Sequence, residues 1–307
     1  MDQFLNAMGN VISPQGAFSL ILLLALILYV RFLRRMSARA RATLNSRPDD
    51  APQNQMSDAE LDRYARHIVL REVGGQGQAK LRKARVLIIG AGGLGSPVLS
   101  YLAAAGIGTI GVIDDDTVSL SNLQRQVLFD EDQLAMPKVF AAQAKLKKLN
   151  PFVEVLPYHR RLTAADAATL FPDFDLIIDG TDNFATRQMV NVAAVAANKP
   201  LLSGAITQWE GQVTLFNDRP ETPCYACVFP TEPADGLAPD CAQAGVMGAL
   251  PGIIGSMMAA EAIKHVTGAG KTLSGNMLIF DALYGESRKL KITKNPKCPV
   301  CGGQNET

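Results

Sequence analysis

In "SNLQRQVLF" (121–129), Asn122, Arg125 and Gln126 are side chains of the kind that grip phosphate oxygens, and Lys138 follows in "MPKVF". An arginine fork holds two oxygens, a lysine brings a point charge, and amides add hydrogen bonds. Upstream, Gly90, Gly92 and Gly95 in "VLIIGAGGLG" (86–95) make G-x-G-x-x-G, and Asp114 ends "TIGVID" (109–114). Such glycines let the backbone turn and approach a phosphate, the following helix offers free N–H groups, and an acid at the next strand end can hold ribose hydroxyls. These features point to a nucleotide without saying which. The diphosphate of a nicotinamide dinucleotide is largely satisfied by the glycine loop, which leaves Arg125 and Lys138 without a role. ATP carries a triphosphate, and breaking its α–β bond develops charge on pyrophosphate that aimed cations stabilise. The set therefore favours ATP over a dehydrogenase cofactor. In "DGTDNFATR" (179–187), Asp182 follows the strand "FDLII". Carboxylates at such strand ends face the ligand crevice, and Asp182 can hold Mg²⁺ there. Asp179, nearer the strand, reads equally well as structural.

Five cysteines are present. Cys224 and Cys227 make "CYAC", and Cys298 and Cys301 make "CPVC". Two C-x-x-C pairs suit a tetrahedral structural zinc that staples a distant segment to the body. Redox dithiols are the competing reading. Cys241, in "DCAQAGV", is either a nucleophile or an inert thiol. His67, His159 and His265 are scattered and read as structural or surface residues.

These groups need a scaffold that gathers strand ends. "RVLIIG", "TIGVID", "VEVLPY", "FDLIID", "PLLSGA", "QVTLF", "NMLIFDA" and "SRKLKIT" read as strands. "SDAELDRYARHIVL" opens on a capping box, Ser57 with Glu60, and continues at helical spacing. "SPVLSYLAAAG", "MPKVFAAQAKLKKLNP", "NFATRQMVNVAAVAANK" and "PGIIGSMMAAEAIKHV" also read as helices. Strands alternating with helices predict an α/β, Rossmann-like, mostly parallel sheet covered on both faces, with an antiparallel or mixed part where the late strands adjoin.

Net charge is +1, which excludes a bulk electrostatic case for nucleic acid. Residues 3–30 carry no charge, and Arg31, Arg34, Arg35, Arg39 and Arg41 follow. A run this long can cross the ~30 Å core of a bilayer, and the basic flank would stay cytoplasmic. A buried helix and a signal peptide are the alternatives. The expected organisation is a transmembrane anchor over 1–35, a polar linker over 36–56, and a globular body over 57–307, with a zinc-stapled C-terminal tail, on the cytoplasmic side of the membrane.

The body resembles the bacterial MoeB/ThiF adenylyltransferases, relatives of ubiquitin-activating enzymes. "RYARHIVL", "VLIIGAGGLGSP", "SNLQRQ", "PKV", "DGTDN", "SGA…EGQ" and "CYAC…CPVC" carry the resemblance across nearly all of 57–307. It implies ATP-dependent adenylation of the C-terminal glycine of a ubiquitin-like sulfur carrier ending in Gly-Gly, followed by thiocarboxylation. The molybdopterin-synthase small subunit is the expected carrier type, and the thiamine-pathway carrier is the alternative. The resemblance implies that Gly90, Gly92, Gly93 and Gly95 form the ATP-facing loop and that Asp114 binds ribose. It places Asn122, Arg125 and Lys138 at the phosphates, Ser121, Leu123 and Gln124 among the residues that bind the nucleotide, and Asp182 with Asn183 at Mg²⁺. Arg66 would cross a homodimer interface to the partner's ATP. The catalytic set is thus Arg66, Arg125, Lys138 and Asp182, and Cys224, Cys227, Cys298 and Cys301 are the zinc ligands. A separate protein is expected to donate sulfur. No catalytic histidine is needed, because a carboxylate is already a nucleophile at neutral pH.

Overall fold

The computed structural model describes residues 56–232 and 245–302. Within them lie eight strands: β1 (Arg85–Ile89), β2 (Thr109–Asp114), β3 (Glu154–His159), β4 (Leu176–Asp179), β5 (Leu201–Thr207), β6 (Glu210–Phe216), β7 (Asn276–Asp281) and β8 (Glu286–Lys291). They form one sheet in the order β3-β2-β1-β4-β5-β6-β7-β8. The first five strands in that order pair in parallel, and β6, β7 and β8 are added antiparallel. The sheet is therefore mixed rather than mostly parallel. β5 and β6 are joined by a tight turn around Gln208, which is too short to hold the crossover that a parallel pair needs.

The helices are α1 (Asp58–Ile68), α2 (Gly74–Lys83), α3 (Gly95–Ala105), α4 (Lys138–Leu149), α5 (Ala164–Leu170), α6 (Phe184–Ala196), α7 (Tyr225–Val228) and α8 (Leu250–Thr267). Alternation along β1 sorts them into two layers. Val86 and Ile88 pack in a core with Leu81 of α2, Leu99 and Leu102 of α3, Leu146 of α4, and Ile254 and Met258 of α8. Leu87 and Ile89 point the other way, toward Leu170 of α5, Val190 of α6 and Tyr225 of α7. A strand buried on both faces reads as an unbroken apolar run, as "VLII" does. The two edges differ from it: β3 carries Pro157, which an edge strand tolerates, and β8 is exposed throughout and rich in Lys and Arg.

The Ser57–Glu60 capping box is present at the start of α1. Three helices were not expected: α2, α5 and the four-residue α7. α2 begins "GGQG", a poor helix start, but tertiary contacts override propensity there. A Cβ on Gly77 would meet Val73 at 2.9 Å, and Gln78 donates from Nε2 to Ala105 O at 2.8 Å. α5 is short and is set by a second capping box, Thr163 with Asp166.

One expectation is corrected. Among the described residues no helix is long and apolar enough to cross a membrane, which overturns the membrane-anchored location. The longest, α8, ends in Glu261, Lys264 and His265 and packs on the sheet. The 1–35 anchor and the 36–56 linker on which that expectation rested lie outside the described residues, Met56 apart, as does Cys241.

Candidate functional site

The order β2-β1-β4 places the strand-order reversal beside β1, and a crevice opens beyond the carboxyl ends of these strands, as the topology requires. The cleft has a volume of about 560 Å³. Its floor is the glycine loop, and the three glycines do different work. Gly90 turns the chain at φ 89°, and its N–H donates to Ile113 O at 2.9 Å. A Cβ on Gly95 would lie 1.9 Å from Gly90 O, so only glycine lets α3 start this close to β1. At Gly92 the nearest atom to such a Cβ is Gln126 Nε2 at 3.8 Å, so this backbone is open to the cleft. No side chain caps the N-terminus of α3, where Ser96 N–H already donates to Gly92 O at 2.9 Å and Pro97 has no N–H, so of its first turn the Gly95 N–H is left to face a ligand.

Asp114 stands at the end of β2 and also lines the cleft. Its Oδ2 accepts from Ala91 N at 2.7 Å, and Oδ1 accepts from Asp116 N at 2.8 Å. Burial holds its carboxyl above the usual range, against the pull of Lys138 and of the two N–H groups. Lys138, the first residue of α4, is 3% exposed, and its ammonium is paired with Asp116 at 2.8 Å. Asp114, Asp115 and Asp116 bring carboxylate oxygens within 4.8 Å of one another, but their partners are already Ala91, Arg161 and Lys138.

The run 121–126 divides in two. Asn122, Arg125 and Gln126 line the cleft. Arg125 Nη1 donates to Ser121 O at 3.3 Å, and the guanidinium forms no ion pair among the described residues. Gln126 is buried, and its Oε1 has no partner among the described residues. Ser121, Leu123 and Gln124 do not line the cleft. Leu123 packs on the core, Gln124 lies against Gly248, and the Ser121 hydroxyl meets Ser119 at 3.0 Å. Their placement makes them the frame of the loop that aims Asn122 and Arg125.

Beyond β4, Asp182 and Asn183 line the cleft, and Asp182 is exposed. The Asn183 side chain caps α6 by accepting from Thr186 N at 2.8 Å. Asp179 is fully buried and accepts from Thr181 N and Oγ1 at 3.0 and 2.7 Å, so it shapes this turn from behind. Gly93 lines the cleft, with Pro251 and Arg125 nearest it. Arg66 lies elsewhere, exposed on α1 and outside the cleft. None of the three histidines lines it.

Three arginines in the lining were not anticipated: Arg160, Arg161 and Arg187. The first two immediately follow β3, so the strand-end logic that finds Asp114 applies to them as well. They are balanced, Arg160 by Asp166 and Arg161 by Asp115, each at 3.0 Å. Arg187 lies within the quoted "DGTDNFATR" but one turn into the helix, where strand-end logic does not reach. The fit to a nucleoside triphosphate rests on the open Gly92 face and on Gln126 Oε1, an unmet acceptor suited to a hydroxyl or amino donor of the nucleoside.

The four C-x-x-C sulfurs converge apart from the cleft. All four lie within 4.8 Å of one another, with Cys224–Cys227 at 3.9 Å, Cys224–Cys298 at 3.7 Å and Cys227–Cys301 at 3.4 Å. A disulfide needs about 2.0 Å. A zinc tetrahedron with bonds of about 2.3 Å has sulfur edges of about 3.8 Å, which these distances match. Burial pushes the Cys224 thiol up to about 11, so thiolates packed here need a cation among them. Asn191 Nδ2 donates to Cys224 Sγ at 3.7 Å while its Oδ1 accepts from Tyr225 N at 2.8 Å, and Asn295 N donates to Cys227 Sγ at 3.4 Å. Such N–H contacts orient metal-bound sulfurs.

Comparison with known proteins follows the same lines. A family model described as the ThiF family matches residues 64–300. The chain is 50% identical over 250 residues to a sulfur carrier protein adenylyltransferase of Thermus thermophilus, covering 80% of this chain and 92% of that one. It is 46% identical over 253 residues to the adenylyltransferase and sulfurtransferase MOCS3 of Xenopus laevis, covering 82% of this chain but only 56% of that relative's length. Among solved structures, E. coli MccB with AMPCPP and MccA aligns at a TM-score of 0.69 and 26% identity, covering 78% of this chain and 74% of that one.

Proposed function

The chain belongs to the ThiF family, and from that premise we propose that it is an adenylyltransferase that uses ATP to activate the C-terminal glycine of a ubiquitin-like sulfur carrier. The observation that carries this reading is the cleft itself: a glycine loop and a ribose-type acid on one side, and cations aimed into the space between them. A carboxylate oxygen of the carrier's terminal glycine bonds to the α-phosphorus of ATP. The bond from that phosphorus to the β-phosphate oxygen breaks, and pyrophosphate leaves with the electron pair. The product is an acyl adenylate ready for sulfur to displace AMP.

This chain's part is alignment and charge. Asp114 is assigned to the ribose hydroxyls, and the Gly90–Gly95 loop, Gly93 included, to the phosphates. Asn122, Arg125 and Lys138 hold phosphate oxygens as charge moves onto pyrophosphate. Lys138 already leans on Asp116, so phosphates must compete with that carboxylate for it. Asp182, with Asn183 beside it, is the residue placed to hold Mg²⁺, which when bound neutralises phosphate charge. The four cysteines hold structural zinc. Arg66 is assigned a role in trans across a homodimer, supported by its exposure on α1. A separate protein is assigned as the sulfur donor. The favoured carrier is of the molybdopterin-synthase type, with the thiamine-pathway carrier second.

Exchange of labelled pyrophosphate into ATP, with and without each carrier, tests this. The expected result is exchange only with carrier present, stronger with the molybdopterin type. Absence of carrier-dependent exchange, together with NADH oxidation on any substrate, would overturn the reading in favour of a dehydrogenase.

A further inference from the structure

Arg187 is 8% exposed, yet it lines the cleft. Its Nη2 donates to Thr181 O, and its guanidinium lies beside the Tyr225 hydroxyl. Among the described residues it forms no ion pair with a carboxylate. In this it differs from Lys138, Arg160 and Arg161, each balanced by an aspartate. Arg125 is also unbalanced, but it is half-buried and free to shed its charge into solvent. The buried carboxylate of Asp179 also acts on Tyr225 but bonds Thr181 rather than Arg187, so the guanidinium is out of water with no carboxylate in contact, and an arriving anion offsets that cost.

The surroundings hold Arg187 ready. It stands in the first turn of α6, whose N-terminus, capped by Asn183, also faces the cleft. Helix N-termini favour negative charge. One turn further on, Asn191 fixes the backbone of Tyr225, and Tyr225 in turn touches Arg187. The aromatic ring is itself wedged between Phe216 and Phe229, at centroid distances of 5.7 and 4.8 Å. The fork therefore has one orientation.

We propose that Arg187 is a built receptor for an oxyanion of the reacting pair, entering from the β4 side of the crevice, while Arg125 and Lys138 act from the segment after β2. The receptor rests on this geometry, and naming the reacting pair rests on the adenylation reading. Two sources share the chemistry: the α-phosphate of ATP and the terminal carboxylate of the acceptor. If the first is right, Arg187→Gln weakens binding of α,β-methylene-ATP by tenfold or more. If the second is right, analogue affinity holds and the carrier KM in pyrophosphate exchange rises by tenfold or more.

The experiment is calorimetry with α,β-methylene-ATP on the full chain, paired with exchange kinetics, for the wild type, R187Q, R187K and Y225F. Zinc content and melting temperature report folding. Lys at 187 keeps the charge but not the fork, so R187K is expected to recover part of the loss. Y225F removes the hydroxyl that orients the guanidinium, is the variant to rely on if R187Q does not fold, and is expected to move the same constant several-fold. A lower melting temperature with both ligand constants at wild-type values would make Arg187 structural and overturn the inference. Failure of the wild type to bind the analogue would instead overturn the adenylation reading. Pyrophosphate then decides for the receptor: a rise in melting temperature in wild type that R187Q lacks supports it, and equal behaviour of the two overturns it.

Discussion

In the clamp, four sulfurs from two chain segments lie within 4.8 Å of one another, and the backbone and Asn191 supply N–H groups to them. In the cleft, groups from the ends of β1, β2, β3 and β4 face about 560 Å³ of open space, and among the described residues Arg125 and Arg187 have no carboxylate partner. The clamp is chemically closed once a metal joins it. The cleft is incomplete by design, because its unpaired charges are matched by something that arrives. Damage to the first should appear as lost stability with activity following, and damage to the second as lost activity with stability unmoved.

The largest effect is expected from Cys298→Ser. Removing one of four thiolates should reduce zinc from stoichiometric to near none, and loss of a structural metal falls among changes of roughly 4 kcal/mol or more. For a domain of this size that corresponds to roughly 8–16 °C in melting temperature. Metal analysis and calorimetric melting check it. A variant that loses zinc but melts with the wild type would show that the clamp does not hold the fold.

Arg125→Ala and Asp182→Ala test the other half. Losing one preorganised charge at a reacting phosphate typically costs about 10²–10³ in rate, or ~3–4 kcal/mol. Carrier-dependent exchange should fall by that factor while zinc content and melting stay unchanged. Near-wild-type exchange in both variants would mean that these are surface charges and that the chemistry lies elsewhere.

Asn191→Ala probes whether the two regions are separate at all. Asn191 is fully buried on the same helix as Arg187 and holds both Cys224 Sγ and the Tyr225 N–H. Loss of an orienting contact of this kind costs about 10–100-fold in metal affinity. Competition with a chelator measures it. If nucleotide affinity falls as well, α6 links clamp to cleft. If only zinc affinity falls, the separation is complete.

The clamp was legible because its signal is local: C-x-x-C spacing alone places two sulfurs together, and only the meeting of the two pairs needed the fold. The glycine loop and Asp114 were legible for a related reason, since a βαβ unit fixes where its own strand ends point. Arg187 was missed because it stands a turn into α6, beyond the strand end that points to Asp182, and Arg160 and Arg161 because the place of β3 beside β2 depends on strand order. β3 and β4 flank the β2–β1 pair only through long-range pairing that no local pattern encodes. The antiparallel wing was half-seen for the same reason: β6 meets β7 across a long stretch of chain. α2 was hidden by its glycines, of which Gly77 alone is held to that size by a close neighbour, Val73.

The smallest effect concerns Asp114, where stability and binding should respond to pH in opposite directions. Burial raises its carboxyl above the ordinary value of 3.8, with Lys138 and two backbone N–H groups opposing. A raised folded-state value means that the fold favours the protonated form. That contribution to stability is fully present below the unfolded value and is lost as pH rises through the folded one. Melting of the wild type relative to Asp114→Asn should therefore decline between pH 3.8 and neutrality, because asparagine cannot titrate. Nucleotide affinity should run the other way. The carboxylate is the better acceptor for ribose hydroxyls, so wild-type affinity weakens as pH falls through the raised value, while the asparagine variant is weaker at neutral pH and flat. Melting and analogue binding measured on both proteins across this range check the pair of slopes. Parallel slopes would show that the carboxyl serves only the loop it bonds through Ala91, and Asp114 would then belong with the structural groups.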